Sequence, residues 1–289
     1  MDSTLGMIVC LSLMINYREP GLSAAGEQTG DGLTGPRRGA GKDSSRRSLV
    51  AGPAPRTSLG DVVAERLRQA IFNDEFSPGQ HLREEEISAS LEVSRGPVRD
   101  AFLILEREGL VRLSRHRGAN VVEFSPEDLG EVYSLRSALE SLAVRLAIRR
   151  HEPDDIEQLN DALTEMQIAM RHKTTEQAAA RLDVNFHDFI FKAAHHDRLY
   201  QSWSNIRMQV YWFLLSRNVA GPGWRQNMAK NHGRIVSLIE AGDELRAVDA
   251  IGEHIRGAYT RIWPTLAEPE PSVQITPSQL DTAKSFLLE

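Results

Sequence analysis

The chain has 289 residues, of which 41% are apolar and 26% charged, with a formal net charge of −6. That is enough apolar residue for cores in two domains, while the acidic balance excludes a protein coated in positive charge, so any nucleic-acid contact must come from a local basic patch. A single cysteine, Cys10, excludes an internal disulfide and a Cys-rich zinc site and fits a cytoplasmic protein; a metal would have to sit on histidines and carboxylates.

Residues 5–15, LGMIVCLSLMI, form an apolar run too short for a bilayer, which takes about 20 residues. The flanks MDST and NYREP lack the basic lead and small-residue exit of a secretory signal, so no membrane association is expected. From Gly21 to Arg56 the composition of Gly, Ser, Pro, Thr and Arg cannot bury enough apolar surface to order the chain, and residues 1–56 are expected to be disordered. Residues 37–56 carry six basic side chains against Asp43 alone, which suits either an arm touching DNA phosphate or a soluble tail. An upstream misassigned start codon would also account for the segment.

Residues 57–122 read as the first folded unit. Ser58 and Asp61 form a capping-box pattern, and Leu59, Val62, Val63, Leu67, Ala70 and Ile71 repeat at helical spacing. The run NDEFSPG ends that helix, and a short second helix over 84–91 sets Ile87 and Leu91 on one side. Ser94 starts a third helix with Pro97 in its first turn and Val98, Ala101, Phe102 and Leu105 inward. VRLS and ANVV then read as a β-hairpin around RHRG. Helix, helix, turn, helix and hairpin is the winged helix-turn-helix pattern, whose third helix enters the major groove. Between Ser94 and Asn120 there are six arginines and three acids, against three arginines and eight acids over 57–93. Arg95 and Arg99 share one face of the third helix, and Ser94 with the helix's free N–H groups suits a phosphate.

The run SPGQHLREEEISASLEVSRGPVRDAFLILEREGLV followed by RGANV resembles the DNA-binding domain of the GntR superfamily of bacterial regulators. The resemblance implies operator contacts from Arg95, Arg99 and the wing around Arg117 and Gly118, with Ser94 and Gly96 close to the DNA backbone. Glu85 departs from it, standing where some members carry a DNA-contacting arginine.

From Pro126 onward the periodicity is helical throughout, and residues 128–262 are expected to form an all-α bundle. Leu129, Val132, Leu135, Leu139, Leu142, Ala143 and Leu146 make the first stripe. Five more helices are expected over 153–171, 175–194, 197–217, 224–240 and 244–262, with a loose tail over 264–289. Asp183 and His187 are four apart on one helix. If AGD turns the chain between antiparallel helices, His232 and His254, ten residues before and twelve after Gly242, come side by side. One carboxylate and three imidazoles suit Zn²⁺, Ni²⁺ or Mn²⁺, with open positions for a carboxylate ligand. DVNFH, NHGRI and GEHIR resemble the metal-site motifs of the FCD domain that accompanies one branch of the GntR superfamily. The same resemblance offers Arg136 of LRSALE as a partner for the effector carboxylate; alternatively it pairs with Glu140 on the helix surface. His195 and His196 read as solvated loop residues.

The fold class expected is therefore mainly α, a winged helix-turn-helix followed by a helical bundle. The function expected is a homodimeric repressor that binds double-stranded operator DNA under control of a small carboxylate at a metal site. An architectural DNA-binding protein is the main alternative. A metal-dependent enzyme is disfavoured because no nucleophile elbow, phosphate loop or metalloprotease glutamate occurs.

Overall fold

A computed structural model describes residues 58–115, 118–172, 174–215 and 224–267. The expectations for residues 1–56 and for Arg117 lie outside them. The order is α1 (Leu59–Phe72), β1 (His81–Arg83), α2 (Glu84–Ser90), α3 (Arg95–Arg107), β2 (Val111–Ser114), β3 (Gly118–Val121), α4 (Pro126–Arg150), α5 (Pro153–Arg171), α6 (Glu176–Ala193), α7 (Asp197–Leu215), α8 (Trp224–Glu240) and α9 (Glu244–Ala267).

Ser58 and Asp61 cap α1 reciprocally, as the sequence predicts, a feature worth about 1 kcal/mol. The helix buries Val63, Ala64, Leu67, Ala70 and Ile71, but Leu59 and Val62 are 51% and 54% exposed. Val62 fails as a core residue because the buried side of α1 runs through 60, 64 and 67, and Val62 lies across the helix from it. α1 packs on α3, whose Val98, Ala101, Phe102 and Leu105 are buried. The hairpin β2–β3 is joined by a third strand that the sequence reading missed: β1 pairs antiparallel with β3, giving the order β1-β3-β2. Three residues, His-Leu-Arg, are too few to show a period.

In the bundle, α6 lies between α4, α5 and α7, while α4 packs along α9 and α8 reaches α5 and α9. The five later helices fall where periodicity places them, except that α9 continues through Pro264 to Ala267 rather than stopping at 262. Pro264 forgoes the backbone bond to the Thr260 carbonyl and crowds it, a cost confined to the last turn of the helix. Gly242 takes φ +69 between α8 and α9, which brings those helices back against each other.

The first stripe of α4 needs correction. Leu135 and Leu142 are 46% and 43% exposed, and the buried side instead carries Leu129, Tyr133, Arg136, Glu140, Ala143 and Ala147. The leucines form a second stripe roughly a quarter-turn away. Two charged residues occupy the core side because each supplies the other's partner, which is the condition for burying charge.

The winged-helix segment and the bundle touch through aromatic rings. Phe72 of α1 meets Tyr211 of α7 edge-on at 4.6 Å, and Phe124 meets Trp212 and Phe213 at 4.7 and 5.0 Å.

Candidate functional site

Asp183, His187, His232 and His254 converge from α6, α8 and α9, with one ligand atom from each lying within 4.8 Å of the others. Asp183 and His187 project inward because α6 is surrounded by other helices, and Phe186 and Ile190 beside them are fully buried. The AGD turn brings the His232 and His254 rings to 4.5 Å between centroids.

The contacts around the rings fix how they face the centre. His232 Nδ1 donates to the Met228 carbonyl at 2.8 Å, which leaves Nε2 as a lone pair 3.3 Å from Asp183 Oδ1, with no hydrogen-bond partner. His187 Nδ1 lies 2.6 Å from Glu140 Oε2, so the ring proton belongs on that side and Nε2 faces inward. His187 Nε2 is 3.2 Å from His254 Nε2 and 3.7 Å from Asp183 Oδ2. Burial, then the neighbouring His232 and His187, push His254 well below the ordinary imidazole range, which favours its neutral ring. The His232 Nε2 lone pair faces the Asp183 carboxylate in a dry interior without a hydrogen-bond donor of its own, and a cation is what satisfies such a pair. The donor set therefore fits a divalent metal.

Arg136 and Glu140 complete the surroundings. Both are fully buried, so the alternative of a surface pair is corrected: they do pair, Nε to Oε1 at 2.6 Å, but inside the bundle. Arg136 Nη2 donates to His187 Nε2 at 2.8 Å and lies 3.9 Å from Asp183 Oδ2. Arg136 Nη1 and the hydroxyls of Tyr133 and Tyr259 are buried without a hydrogen-bond partner among the described residues. The Arg136 guanidinium stands 5.4 Å from the Tyr133 ring and 6.0 Å from that of Trp203. The sequence reading paired Glu140 with Arg136 but did not connect it with His187, which it touches inside the bundle. Tyr133, Tyr259 and Trp203 gave no signal, since aromatic residues at helical spacing read as core.

His195 is not simply solvated, because its Nε2 lies 2.7 Å from Asp155 Oδ2, and His196 Nδ1 accepts from the Leu199 amide. Neither joins the cluster. A groove of about 730 Å³ lies at the wing, between Gly79, Arg112, Asn120, Glu123 and Ser125, and is lined by none of the cluster residues.

At the other end, Ser94, Arg95, Gly96 and Arg99 are exposed together at the start of α3. Ser94 is the N-cap but makes no side-chain capping bond, so its hydroxyl is not committed there. Arg95 Nη2 is paired with Glu85 Oε1 at 2.8 Å, and Arg99 Nε donates to Glu84 Oε2 at 2.8 Å. Gly118 stands apart from this set, buried in β3 opposite Arg83. A Cβ on it would come within 2.3 Å of the Leu82 carbonyl, which gives that glycine a structural reason of its own.

A winged helix built on a helical bundle with an enclosed ligand-type site is the architecture of a regulator that reads DNA with one part and senses with the other. Comparison with known proteins agrees. The family model for bacterial regulatory proteins, gntR family, matches residues 59–121, and that for the FCD domain matches 131–257. The chain is 30% identical to a probable D-xylose utilization operon transcriptional repressor of Paenarthrobacter nicotinovorans over 69% of this chain and 87% of that one. It is 29% identical to the gluconate operon transcriptional repressor of Bacillus licheniformis, over 72% and 88% respectively. The solved structure of E. coli McbR/YncC shares the fold with a TM-score of 0.62 at 21% identity, covering 72% of this chain and 99% of that one. The chain belongs to the GntR family of bacterial transcriptional regulators, in the branch that carries an FCD domain, and it is not an enzyme.

Proposed function

We propose that this regulator is a homodimeric repressor whose operator affinity is set by a small carboxylate bound beside a divalent metal in the bundle. The observation that carries the reading is the convergence of Asp183, His187, His232 and His254, the first three buried and His254 partly so, with one ligand atom from each within 4.8 Å of the others. These four residues would hold the metal, which would supply a Lewis-acid position for a carboxylate oxygen. Glu140 holds His187 in the tautomer that ligates, as outer carboxylates do at histidine metal sites. Arg136, with an unpaired Nη1 buried near the cluster, suits the effector carboxylate.

On the DNA side, Ser94, Arg95, Gly96 and Arg99 make the reading surface, and the resemblance adds Arg117 and Gly118 of the wing as DNA contacts. One recognition helix covers only a few base pairs, so a dimer on a near-palindromic site follows. The half-exposed stripe of Leu135, Leu139, Leu142 and Leu146 on α4 suits the dimer contact. Relatives named as operon repressors support repression as the sign of control.

The test is a gel-shift on DNA upstream of the protein's own gene, with metal-loaded and chelator-treated protein and a panel of small carboxylates. Release by a carboxylate only in the metal-loaded form is expected. Binding indifferent to metal and to every carboxylate would favour the architectural alternative.

A further inference from the structure

We propose that Arg136 and the bound metal compete for one lone pair, His187 Nε2, so that metal binding frees the Arg136 guanidinium to hold an anion. This rests on the metal reading above and adds the order and coupling of the two binding events. The argument starts at His187. Its Nδ1 faces Glu140 Oε2 at 2.6 Å, so the neutral ring has a single lone pair, on Nε2. That lone pair accepts the Arg136 Nη2 hydrogen at 2.8 Å. It also lies 3.2 Å from His254 Nε2 and 3.7 Å from Asp183 Oδ2, among the atoms that would ligate a metal. An sp² nitrogen cannot serve a hydrogen-bond donor and a metal ion along one direction.

Arg136 cannot resolve the conflict by losing its proton, because a guanidinium stays charged in proteins. Metal loading is then an exchange of cations at His187, and it leaves two positive centres close together in a dry interior. Arg136 keeps its Nε bond to Glu140 Oε1, while Nη1 is already without a partner and the released Nη2 is left with only the Asp183 carboxylate, 3.9 Å away. Unsatisfied buried donors and adjacent like charges favour an anion between them. The carboxylate is therefore held by the metal-loaded site and tightens metal binding in return, since such coupling is reciprocal.

The experiment is Zn²⁺ affinity, measured by competition with a chromophoric chelator, for the parent and for Arg136→Met, which removes the donor and the charge but keeps an unbranched stem. The variant should bind Zn²⁺ at least about tenfold more tightly, because a neighbouring buried cation has gone. Equal or weaker binding overturns the competition while leaving the metal site standing. If neither protein binds Zn²⁺, the metal reading falls and this one with it. Should Arg136→Met fail to fold, the parent alone decides through its buried guanidinium NMR signals in ¹⁵N-arginine-labelled protein. They should move when Zn²⁺ binds, and signals unmoved by bound Zn²⁺ overturn the proposal.

Discussion

Glu140 has no route to solvent and touches no DNA, yet its two oxygens hold both Arg136 and His187 at 2.6 Å. Replacing it with Gln keeps the size and removes the charge that orients His187. Zn²⁺ affinity should fall about 10- to 100-fold, the usual consequence of losing an outer-shell carboxylate; an unchanged affinity in a chelator competition would remove Glu140 from the site. Tyr133, three residues before Arg136, is pushed up to about 12 by burial, with Arg136 offsetting part of the rise. A raised value means the neutral phenol is favoured in the fold. Its contribution is whole below pH 10 and is lost as pH rises from 10 to 12, about 3 kcal/mol in all. Denaturant unfolding at pH 8 and pH 11 should show a loss smaller by about 1 kcal/mol in Tyr133→Phe, and equal losses would contradict the assignment. Of these residues, Arg136 was legible through family resemblance and Glu140 as its partner at spacing four, though on the surface rather than in the core. A buried charge pair at spacing four looks the same on paper as a solvated one, because periodicity reports apolar faces and is blind to a polar core.

Helix α3 and the short α2 pack so that the two arginines expected to read DNA are already paired, and the two pairs differ in kind. Glu84 is buried, at 7% exposure, whereas Glu85 and Arg95 are both open to solvent. Removing Arg99 strands a buried carboxylate, which costs a few kcal/mol. Arg99→Ala should therefore lower the melting temperature as well as operator affinity, while Arg95→Ala should lower affinity alone, by about 1 to 3 kcal/mol if it meets a base edge. Differential scanning fluorimetry beside fluorescence anisotropy separates them, and a melting loss in Arg95→Ala alone would reverse the account. Glu85→Gln takes a negative charge off the face proposed to meet DNA phosphate and releases Arg95. Binding should tighten, with a salt dependence steeper by about one charge; weaker binding would instead make Glu85 a reader or a positioner of Arg95. The sequence predicted the helices well because the capping box at Ser58 and the apolar spacing mark them out, while the second box, at Ser125, is seen only in the structure. It lost β1 for want of length, and it put the α4 leucines in the core because they are the longest apolar stripe on that helix.

The two halves of the chain meet where α7 ends. Trp203, near the start of α7, donates to Asp188 at 2.6 Å and lies 6.4 Å from the His187 ring, while Tyr211, Trp212 and Phe213 at its other end pack on Phe72 and Phe124. One helix thus touches both the cluster and the DNA-reading segment, and a shift of α7 is the simplest way for a buried ligand to reach the winged helix. Everything in that account depends on four residues from three helices acting as one metal site. A site that exists only in the folded bundle makes metal binding a folding energy, so metal should raise the melting temperature and chelator should lower it. The decisive measurement is elemental analysis of protein purified without a His-tag, paired with its melting temperature before and after added Zn²⁺ or Ni²⁺, with His232→Ala as the control. The account predicts bound metal or a clear upward shift in the parent and neither in His232→Ala; a parent without metal whose melting temperature does not move would contradict it.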